Sequence, residues 1–335
     1  MGEFNVPVVI IIFKRRKILQ IINKIAQVKP SKLYIIGDHG RNAEEKEAVE
    51  ALRRDVENAI TWDCEVIKNY ADENRGVYAQ IGEGAKWVFS KEERAIFLED
   101  DNLPEITFFE YCRQLLEYYK DDPKILWICG TNYLTEYKPQ NGASYIFTKH
   151  VHPCGWASWS DKFLKYYDGN LNGCADKKLV KRLKREYLSK NFYIQHRDDW
   201  LSEYRKIKQG KRPRSWDHQM DFSIKANHLY GIVPYRNQIK NIGVDCDSIH
   251  GGTDFNNVMT QRICGMDSLP LEFPLTHSDK VETDEKYEQS ITEIVLLPRK
   301  TLIRLRIARP IKRFFKVEEE ESLKKKVLQK FCIKY

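Results

Sequence analysis

Apolar and polar positions alternate in blocks over the first 130 residues of the chain. Five apolar runs have the length and continuity of strands buried on both faces, at residues 6–13, 33–36, 64–67, 95–98 and 125–129. Between them, residues 42–58 and 77–90 show the three- and four-residue spacing of amphipathic helices. This alternation predicts an α/β fold, with a mostly parallel sheet covered by helices on both faces.

Polar clusters follow the predicted strands at their carboxyl ends, where open α/β sheets bind ligands. Four successive strands end in Lys14-Arg15, Asp38, Asn69 and the triplet Glu99-Asp100-Asp101. Three adjacent carboxylates repel one another and are hard to desolvate, so the triplet predicts either a solvated turn or a cation site. Mn²⁺ or Mg²⁺ prefers such oxygen ligands, and the phosphates of a bound ligand could complete its shell.

The alternation of strands and helices is less regular after residue 130, and the prediction there rests on short motifs. Two tryptophans lie in "GWASW" at 155–159, and a helix start is predicted near "SWDHQ" at 215–219. A polar loop, "NIGVDCDSIH", spans residues 241–250. We find no internal repeat or low-complexity linker, which favours one catalytic domain over residues 1–270, with halves at 1–130 and 131–270, followed by an extension at 271–335.

Composition excludes several classes of protein. The chain has 335 residues, is 42% hydrophobic and has 18 Tyr, 15 Phe and 7 Trp, a balance typical of a globular protein rather than a disordered one. No apolar run is long enough to span a bilayer, and residues 6–13 are too short and wrongly flanked for a signal peptide, so we expect a cytoplasmic location. Eight scattered cysteines without a CxxC pair give no support to a zinc cage.

The positive charge is concentrated at the end of the chain. Residues 291–335 contain 13 Lys/Arg and 5 Glu, which accounts for the whole net charge of +8. Ile303, Ile307, Ile311 and Phe314 recur at three- or four-residue intervals, with the basic residues largely off this stripe. The pattern is that of a helix in a membrane interface at residues 299–316, although the same stripe could instead pack on the catalytic domain.

Taken in order, four motifs resemble those of nucleotide-sugar-dependent glycosyltransferases of the glycosyltransferase-A fold. They are the first strand "PVVIIIFKRRK", the metal motif "AIFLEDD", "GWASW", and "WDHQ" followed by "NIGVDCDSIH". The chain is most similar to bacterial enzymes of surface-polysaccharide synthesis and more distantly to the enzymes that add GlcNAc to N-glycans. One departure is that "FKRRK" stands where the family has Asn-Arg-Pro.

The resemblance implies a role for each of several residues. Asp101 would contact Mn²⁺ or Mg²⁺ together with His250, and Glu99 and Asp100 would lie towards the ribose and the outer shell of the metal. Arg15, Asp38 and Asn69 would contact the nucleotide, most simply that of a UDP-sugar. Asp217 would be the catalytic base of an inverting transfer, with Asp221 in reserve, and Trp156 and Trp159 would stack on sugar rings of the acceptor.

Each of these residues also has an ordinary structural explanation. Ser215 or Asp217 could cap a helix, His250 could be a loop histidine, and Asp38 could be a turn residue. Trp156 and Trp159 could pack in the core.

Two other functions compete with a hexosyl- or N-acetylhexosaminyltransferase that uses a glycan or lipid-linked glycan acceptor. A sugar-1-phosphate nucleotidyltransferase is also an α/β metal enzyme, but it relies on a glycine-rich loop, and residues 13–17 contain no glycine. A basic protein that binds membranes or polyanions would explain the C-terminal segment but not the carboxylates. No nucleic-acid partner is expected.

Overall fold

The computed structural model describes residues 4–245, 254–315 and 317. The chain divides into two compact units, Met1–Val295 and Leu296–Tyr335. The first unit includes a helix that lies beyond the predicted boundary at residue 270. No helix among the described residues is long and apolar enough to cross a membrane.

Ten strands form two sheets among the described residues of the first unit. The strands are β1 Val8–Ile12, β2 Lys32–Gly37, β3 Glu65–Tyr70, β4 Arg94–Glu99, β5 Asn102–Pro104, β6 Ile125–Cys129, β7 Tyr145–Thr148, β8 Trp156–Trp159, β9 Tyr230–Pro234 and β10 Ile239–Asn241. The main sheet has the order β3-β2-β1-β4-β8-β6-β9-β7, and β5 pairs with β10 in a small second sheet. Within the main sheet, β7 and β8 run antiparallel to their neighbours, and the other strands run in one direction.

Ten helices accompany these strands, and an eleventh lies in the second unit. They are α1 Ile18–Val28, α2 Ala43–Ala59, α3 Gly84–Phe89, α4 Ile106–Tyr118, α5 Ser160–Tyr166, α6 Lys177–Arg182, α7 Lys190–Lys208, α8 Asp217–Ala226, α9 Val258–Cys264, α10 Glu285–Val295 and α11 Arg299–Phe314. A π-helical segment, Ala79–Glu83, leads into α3. Asn42 fixes the start of α2, where its side chain accepts a hydrogen bond from the backbone N–H of Glu45.

Hydrophobic cores lie on both faces of the main sheet, because successive side chains of a strand point to opposite sides. In β1, Val8 and Ile10 pack with α1 and α4, whereas Val9 and Ile11 pack with α3, α5 and α8. A third cluster around Trp200 and Phe222 joins α7 to α8. The predicted α/β class, with a mostly parallel sheet and helices on both faces, is therefore confirmed.

Candidate active site

The carboxylate triplet lies at the turn between β4 and β5, on the edge of the sheet where the parallel strands end. Buried Asn102 shapes this turn, since its Oδ1 accepts hydrogen bonds from the backbone N–H groups of Glu99 (3.3 Å) and Gly155 (2.8 Å). Its Nδ2 donates to Oδ1 of Asp101 at 2.6 Å. Asn102 thereby holds Asp101 in a defined position, as a precise ligand site requires.

Arg15, in the loop after β1, is the cation closest to the triplet. Its Nη1 lies 3.1 Å from Oδ1 of Asp100 and 3.0 Å from Oδ2 of Asp101. Its Nε lies 3.8 Å from Asp245, and Lys17 pairs with the same Asp245 at 2.7 Å. The loop after β1 and the chain after β10 therefore meet at the carboxylates.

The triplet carries more negative charge than its neighbours neutralise. Burial, with Asp101, Asp100 and Asp217 nearby, raises the pKa of Glu99 well above its usual range. Burial and the charge of Asp101 likewise raise the pKa of Asp100 to about 7. Among the described residues, no side chain or backbone group hydrogen-bonds to the carboxylate of Glu99. A cation bound here would relieve this repulsion.

Asp217 lies close to the triplet, although it belongs to α8. Burial is the main cause of the raised pKa values of Glu99, Tyr133 and Tyr167, and the charge of Asp217 adds to each of them. Trp216 is the N-cap residue of α8, and Ser215 before it accepts at its Oγ a hydrogen bond from the backbone N–H of His218 at 3.1 Å, which satisfies a donor of the first turn. The Ser215 hydroxyl also donates to Asp217 Oδ1. The charge of Asp217 thus acts on Glu99 of the predicted metal motif, while the role of Asp217 as a base stays a prediction.

Asp221, the reserve candidate for the base, lies in a different environment. It is buried, and its Oδ2 accepts hydrogen bonds from His196 (2.8 Å), Trp200 (3.1 Å) and the hydroxyl of Tyr187 (3.3 Å). Lys225 donates to the other oxygen. Although burial opposes the charge, His196 and Lys225 hold the pKa of Asp221 well below its usual range. A carboxylate held in this way has a structural role and is a poor proton acceptor.

Asp38 lies at the end of β2, where it organises the loop after β3. Its two carboxylate oxygens accept hydrogen bonds from the backbone of His39, Arg75 and Gly76 and from the side chains of Asn74 and Gln80. The turn-residue alternative thus describes what Asp38 does in the structure, and a contact with the nucleotide stays a prediction. Asn69 lies half-buried in the edge strand β3, and its nucleotide contact is also untested.

The expected contact of Trp156 and Trp159 with an acceptor is not supported by their positions. Trp156 is fully buried in the central strand β8, where its ring stacks on Phe97 at 3.9 Å and on Trp127 at 4.4 Å between centroids. Trp159 is also buried, and its Nε1 donates to the carbonyl of Leu116 at 2.8 Å. Both residues pack in the core, as the structural alternative predicts.

The side chains around the triplet decide whether a metal ion could be held there. Across residues 4–245, 254–315 and 317, no group of three or more His, Cys, Asp or Glu side chains is arranged to hold a metal ion. The predicted ligand His250 lies outside the described residues. The oxygens of Glu99 and Asp101 are nevertheless hard donors of the kind that Mn²⁺ and Mg²⁺ prefer. A metal ion at the triplet therefore stays a prediction, in which Glu99 and Asp101 would be joined by His250 and by ligand phosphates.

Three residues that shape the site were not predicted. Asn102 orients the triplet, Asp245 pairs with Arg15 and Lys17, and Gly243 lets the chain pass beside Asp101. A Cβ at Gly243 would lie 2.2 Å from Oδ2 of Asp101, so only glycine fits there. Asp245 and Gly243 belong to the "NIGVDCDSIH" motif, but nothing in the sequence marks them individually.

Comparisons with known proteins give only weak similarities. No family model matches the chain, and a search of curated proteins finds no match. Among solved structures, HddC from Yersinia pseudotuberculosis is 10% identical, with a TM-score of 0.32 over 49% of this chain and 81% of its own. UDP-glucose pyrophosphorylase complexed with UDP-glucose is 9% identical, with a TM-score of 0.34 over 73% of this chain and 94% of its own. Mouse xyloside xylosyltransferase 1 is 11% identical, with a TM-score of 0.34 over 67% and 82%. No function follows from similarity at this level.

Proposed function

We propose that the protein is a metal-dependent, inverting glycosyltransferase that moves a hexosyl or N-acetylhexosaminyl group from a UDP-sugar to a glycan. The observation that supports this most is the position of Asp217 beside the surplus of carboxylates at Glu99, Asp100 and Asp101. A metal–diphosphate site and a proton acceptor are the two things that such a transfer needs, and the carboxylates at this edge of the sheet would supply both. The order of the four motifs in the sequence agrees with this function.

The donor would bind between the loop after β1 and the triplet. Asp101, with His250, would hold Mn²⁺ or Mg²⁺, which supplies a Lewis acid for the oxygens of the leaving diphosphate. Glu99 and Asp100 would lie towards the ribose. Arg15, now paired with Asp100 and Asp101, would turn its guanidinium to the diphosphate, because an arginine fork suits phosphate as well as carboxylate.

Asp217 would act on the acceptor. Its carboxylate would take the proton of the acceptor hydroxyl while the hydroxyl oxygen forms a bond to the anomeric carbon. The bond from that carbon to the diphosphate oxygen would break at the same time, which inverts the configuration. Different residues of one site would thus remove the proton and assist the departure of UDP. The acceptor would be a growing surface polysaccharide or its lipid-linked precursor.

The first experiment is to incubate the protein with a panel of UDP-sugars, with and without Mn²⁺, and to measure release of UDP. We expect Mn²⁺-dependent release, which is slow with water and faster with an acceptor. A nucleotidyltransferase would instead make a UDP-sugar from UTP and a sugar 1-phosphate and release pyrophosphate. A protein that only binds membranes or polyanions would do neither.

We also propose that α11 attaches the protein peripherally to the cytoplasmic face of the membrane. The apolar stripe of this helix is exposed to solvent, with 47% of Ile303, 60% of Ile307, 37% of Ile311 and 82% of Phe314 accessible. Residues 299–314 contain seven Lys/Arg and neither Asp nor Glu. An exposed apolar stripe with positive charge suits an anionic lipid surface, where each basic residue adds about 1 kcal/mol.

Liposome co-sedimentation of the full-length chain tests this attachment. Ile303→Asn with Ile307→Asn should weaken binding to phosphatidylglycerol vesicles by about tenfold or more, since two side chains would lose their burial in lipid. Leu188→Asn is the matched control, because it removes an apolar side chain that is 59% exposed in the first unit. Equal binding by the double variant and the control would exclude the stripe as the membrane contact.

A further inference from the structure

A basic cleft lies between the segment after β3 and the connection from α7 to α8, and none of the residues assigned above lines it. The cleft has a volume of about 410 Å³, within the range of small-molecule sites. Its walls are the segment after β3 and the connection between α7 and α8. The side chains that matter for a ligand are Arg75, Lys211 and Arg212, with Tyr78, Asn170 and Pro213. Among the described residues, three cations and no carboxylate line the cleft, so its charge favours an anion.

The two walls of the cleft are held in place by hydrogen bonds. Asp38 accepts hydrogen bonds from the backbone N–H groups of Arg75 at 2.8 Å and Gly76 at 2.9 Å, which fixes the first wall. Arg212 donates from Nη1 to the carbonyl of Asn74, which ties the second wall to the first. Asp38 therefore orders the loop that carries Arg75, a role different from the predicted contact with the nucleotide.

The cleft adjoins the segment that carries the candidate base. Pro213, in the second wall, is four residues before Asp217. The hydroxyl of Tyr78 donates to the carbonyl of Gly169 at 2.9 Å, and the hydroxyl of Tyr167 donates to the carbonyl of Trp216 at 3.2 Å. Tyr78 thus connects the first wall to residues 167–169, and Tyr167 connects the same residues to the turn before Asp217.

We propose that this cleft binds an anionic sugar of the acceptor, one that carries a carboxylate or a phosphate group. The inference rests on the proposed function and adds the chemical class of the acceptor to it. Arg75 and Arg212 present planar forks that match either anion, and Lys211 adds a third positive charge. Tyr78 and Pro213 offer apolar surface to the sugar ring. Arg75, Lys211 and Arg212 are all exposed, so binding is weak and depends on ionic strength.

Binding of two matched oligosaccharides to the full-length chain, followed by calorimetry without donor or metal, tests the proposal. The probes are tetragalacturonate and its methyl ester, which has the same sugars but no charge. We expect measurable affinity for the acid, none for the ester, and loss of the affinity at 0.5 M NaCl. Galactose 1-phosphate against galactose is the second pair, and it shows whether phosphate can replace carboxylate.

Arg75→Gln and Lys211→Gln should each weaken binding of tetragalacturonate by about threefold to fivefold, the size expected for an exposed charge pair. Lys177→Gln, which removes an exposed charge from α6 outside the cleft, is the matched control and should bind like the unaltered chain. Equal binding of acid and ester, or equal loss in the Lys177 variant, would overturn the proposal. So would a result in which Arg75→Gln weakens binding of UDP but not of tetragalacturonate.

This outcome is independent of the proposed enzyme activity. If UDP release fails while the acid binds through Arg75 and Lys211, the cleft stands as an anionic-sugar site and the glycosyltransferase proposal falls. If UDP release succeeds while acid and ester bind equally, the enzyme assignment stands and the anionic acceptor falls.

Discussion

Two clusters of charged residues in this protein show how differently buried carboxylates can be used. The edge cluster, Glu99, Asp100 and Asp101, has three carboxylates, of which Asp100 and Asp101 pair with one guanidinium, that of Arg15. The core cluster has a single carboxylate, that of Asp221, with hydrogen bonds from Lys225, His196, Tyr187 and Trp200. Burial raises the pKa values of the edge carboxylates, whereas the cations around Asp221 lower its pKa despite its burial.

In the edge cluster the negative charge exceeds the positive charge of the neighbouring side chains, whereas in the core cluster the neighbouring donors balance the one carboxylate. A surplus of carboxylate charge is costly until a cation or a proton arrives, so the proposed metal ion would relieve this cost at the edge cluster. In the core cluster, both oxygens of the one carboxylate already accept hydrogen bonds from side chains of the protein. The same reasoning selects Asp217 over Asp221 as the base, because Asp217 lies beside the edge cluster and Asp221 forms the core one.

The largest expected effect concerns the base. Asp217→Asn keeps the size and polarity of the side chain but cannot accept the proton, so the rate of transfer should fall by about 10²–10⁴-fold. The affinity for UDP with Mn²⁺ should stay within about twofold, because donor binding falls to other residues. Turnover close to normal in this variant would remove Asp217 from catalysis and break the distinction between the two aspartates.

The second effect is on stability. Asp221→Asn leaves Lys225, which is 2% exposed, without its ionic partner and should lower the free energy of unfolding by about 3–5 kcal/mol. Asp101→Asn is the matched control at the edge cluster, where removing one of three like charges should leave the stability unchanged or slightly raised. Urea denaturation of both variants measures the difference.

Equal losses of stability in the two variants would show that the clusters do not differ in the way described. A partial recovery in the double variant Asp221→Asn, Lys225→Met would identify the stranded lysine as the cause. Such a recovery is expected because a buried ion pair can often be replaced by apolar groups at little cost.

A smaller effect is the pH dependence that His150 adds beside the core cluster. Burial, with Lys225 and His196 nearby, lowers the pKa of His150 to about 3, and burial does the same for His152. An unfolded histidine takes up its proton near pH 6.5. The free energy of unfolding is therefore fully retained above pH 6.5 and falls as the pH drops below that value towards 3, by up to about 1.4 kcal/mol per pH unit for each histidine.

His150→Gln tests this contribution. The groups that face His150 are Lys225, His196, Asp221 and Glu288. The glutamine cannot take up a proton but can still donate a hydrogen bond towards the carbonyl of Glu288, which His150 Nε2 contacts at 3.2 Å. Between pH 6.5 and 5.5 the variant should lose about 1 kcal/mol less stability than the unaltered chain. The same loss in both proteins would show that His150 titrates normally in the folded state.

Most of the fold could be predicted where each strand is buried on both faces. The runs at 33–36 and 125–129 became β2 and β6 because the core needs continuous apolar residues there. β8 was missed, since only four residues, Trp156–Trp159, form it and two of them are tryptophans that also suit sugar binding. A strand this short gives no periodicity, and only its place between β4 and β6 explains its burial.

The candidate site could be predicted where chemistry follows a strand directly. The triplet and Arg15 do so, and the structure places them in contact. Asp217 could be predicted as the base only from the order of the motifs, because no local sequence feature indicates that α8 lies near the end of β4. Asn102 and Gly243 could not be foreseen, because their roles depend on backbone groups that only the folded chain brings near, whereas the turn role of Asp38 was one of its two predicted explanations.

The most direct test of the proposed metal–diphosphate site is the affinity for UDP, measured by calorimetry with and without Mn²⁺. We expect the unaltered chain to bind UDP at least tenfold more tightly with Mn²⁺, and Asp101→Ala to lose this gain while keeping its fold, as judged by circular dichroism. If Asp101→Ala still gains as much affinity from Mn²⁺ as the unaltered chain, the edge cluster is not the metal site and the proposed function loses its main support.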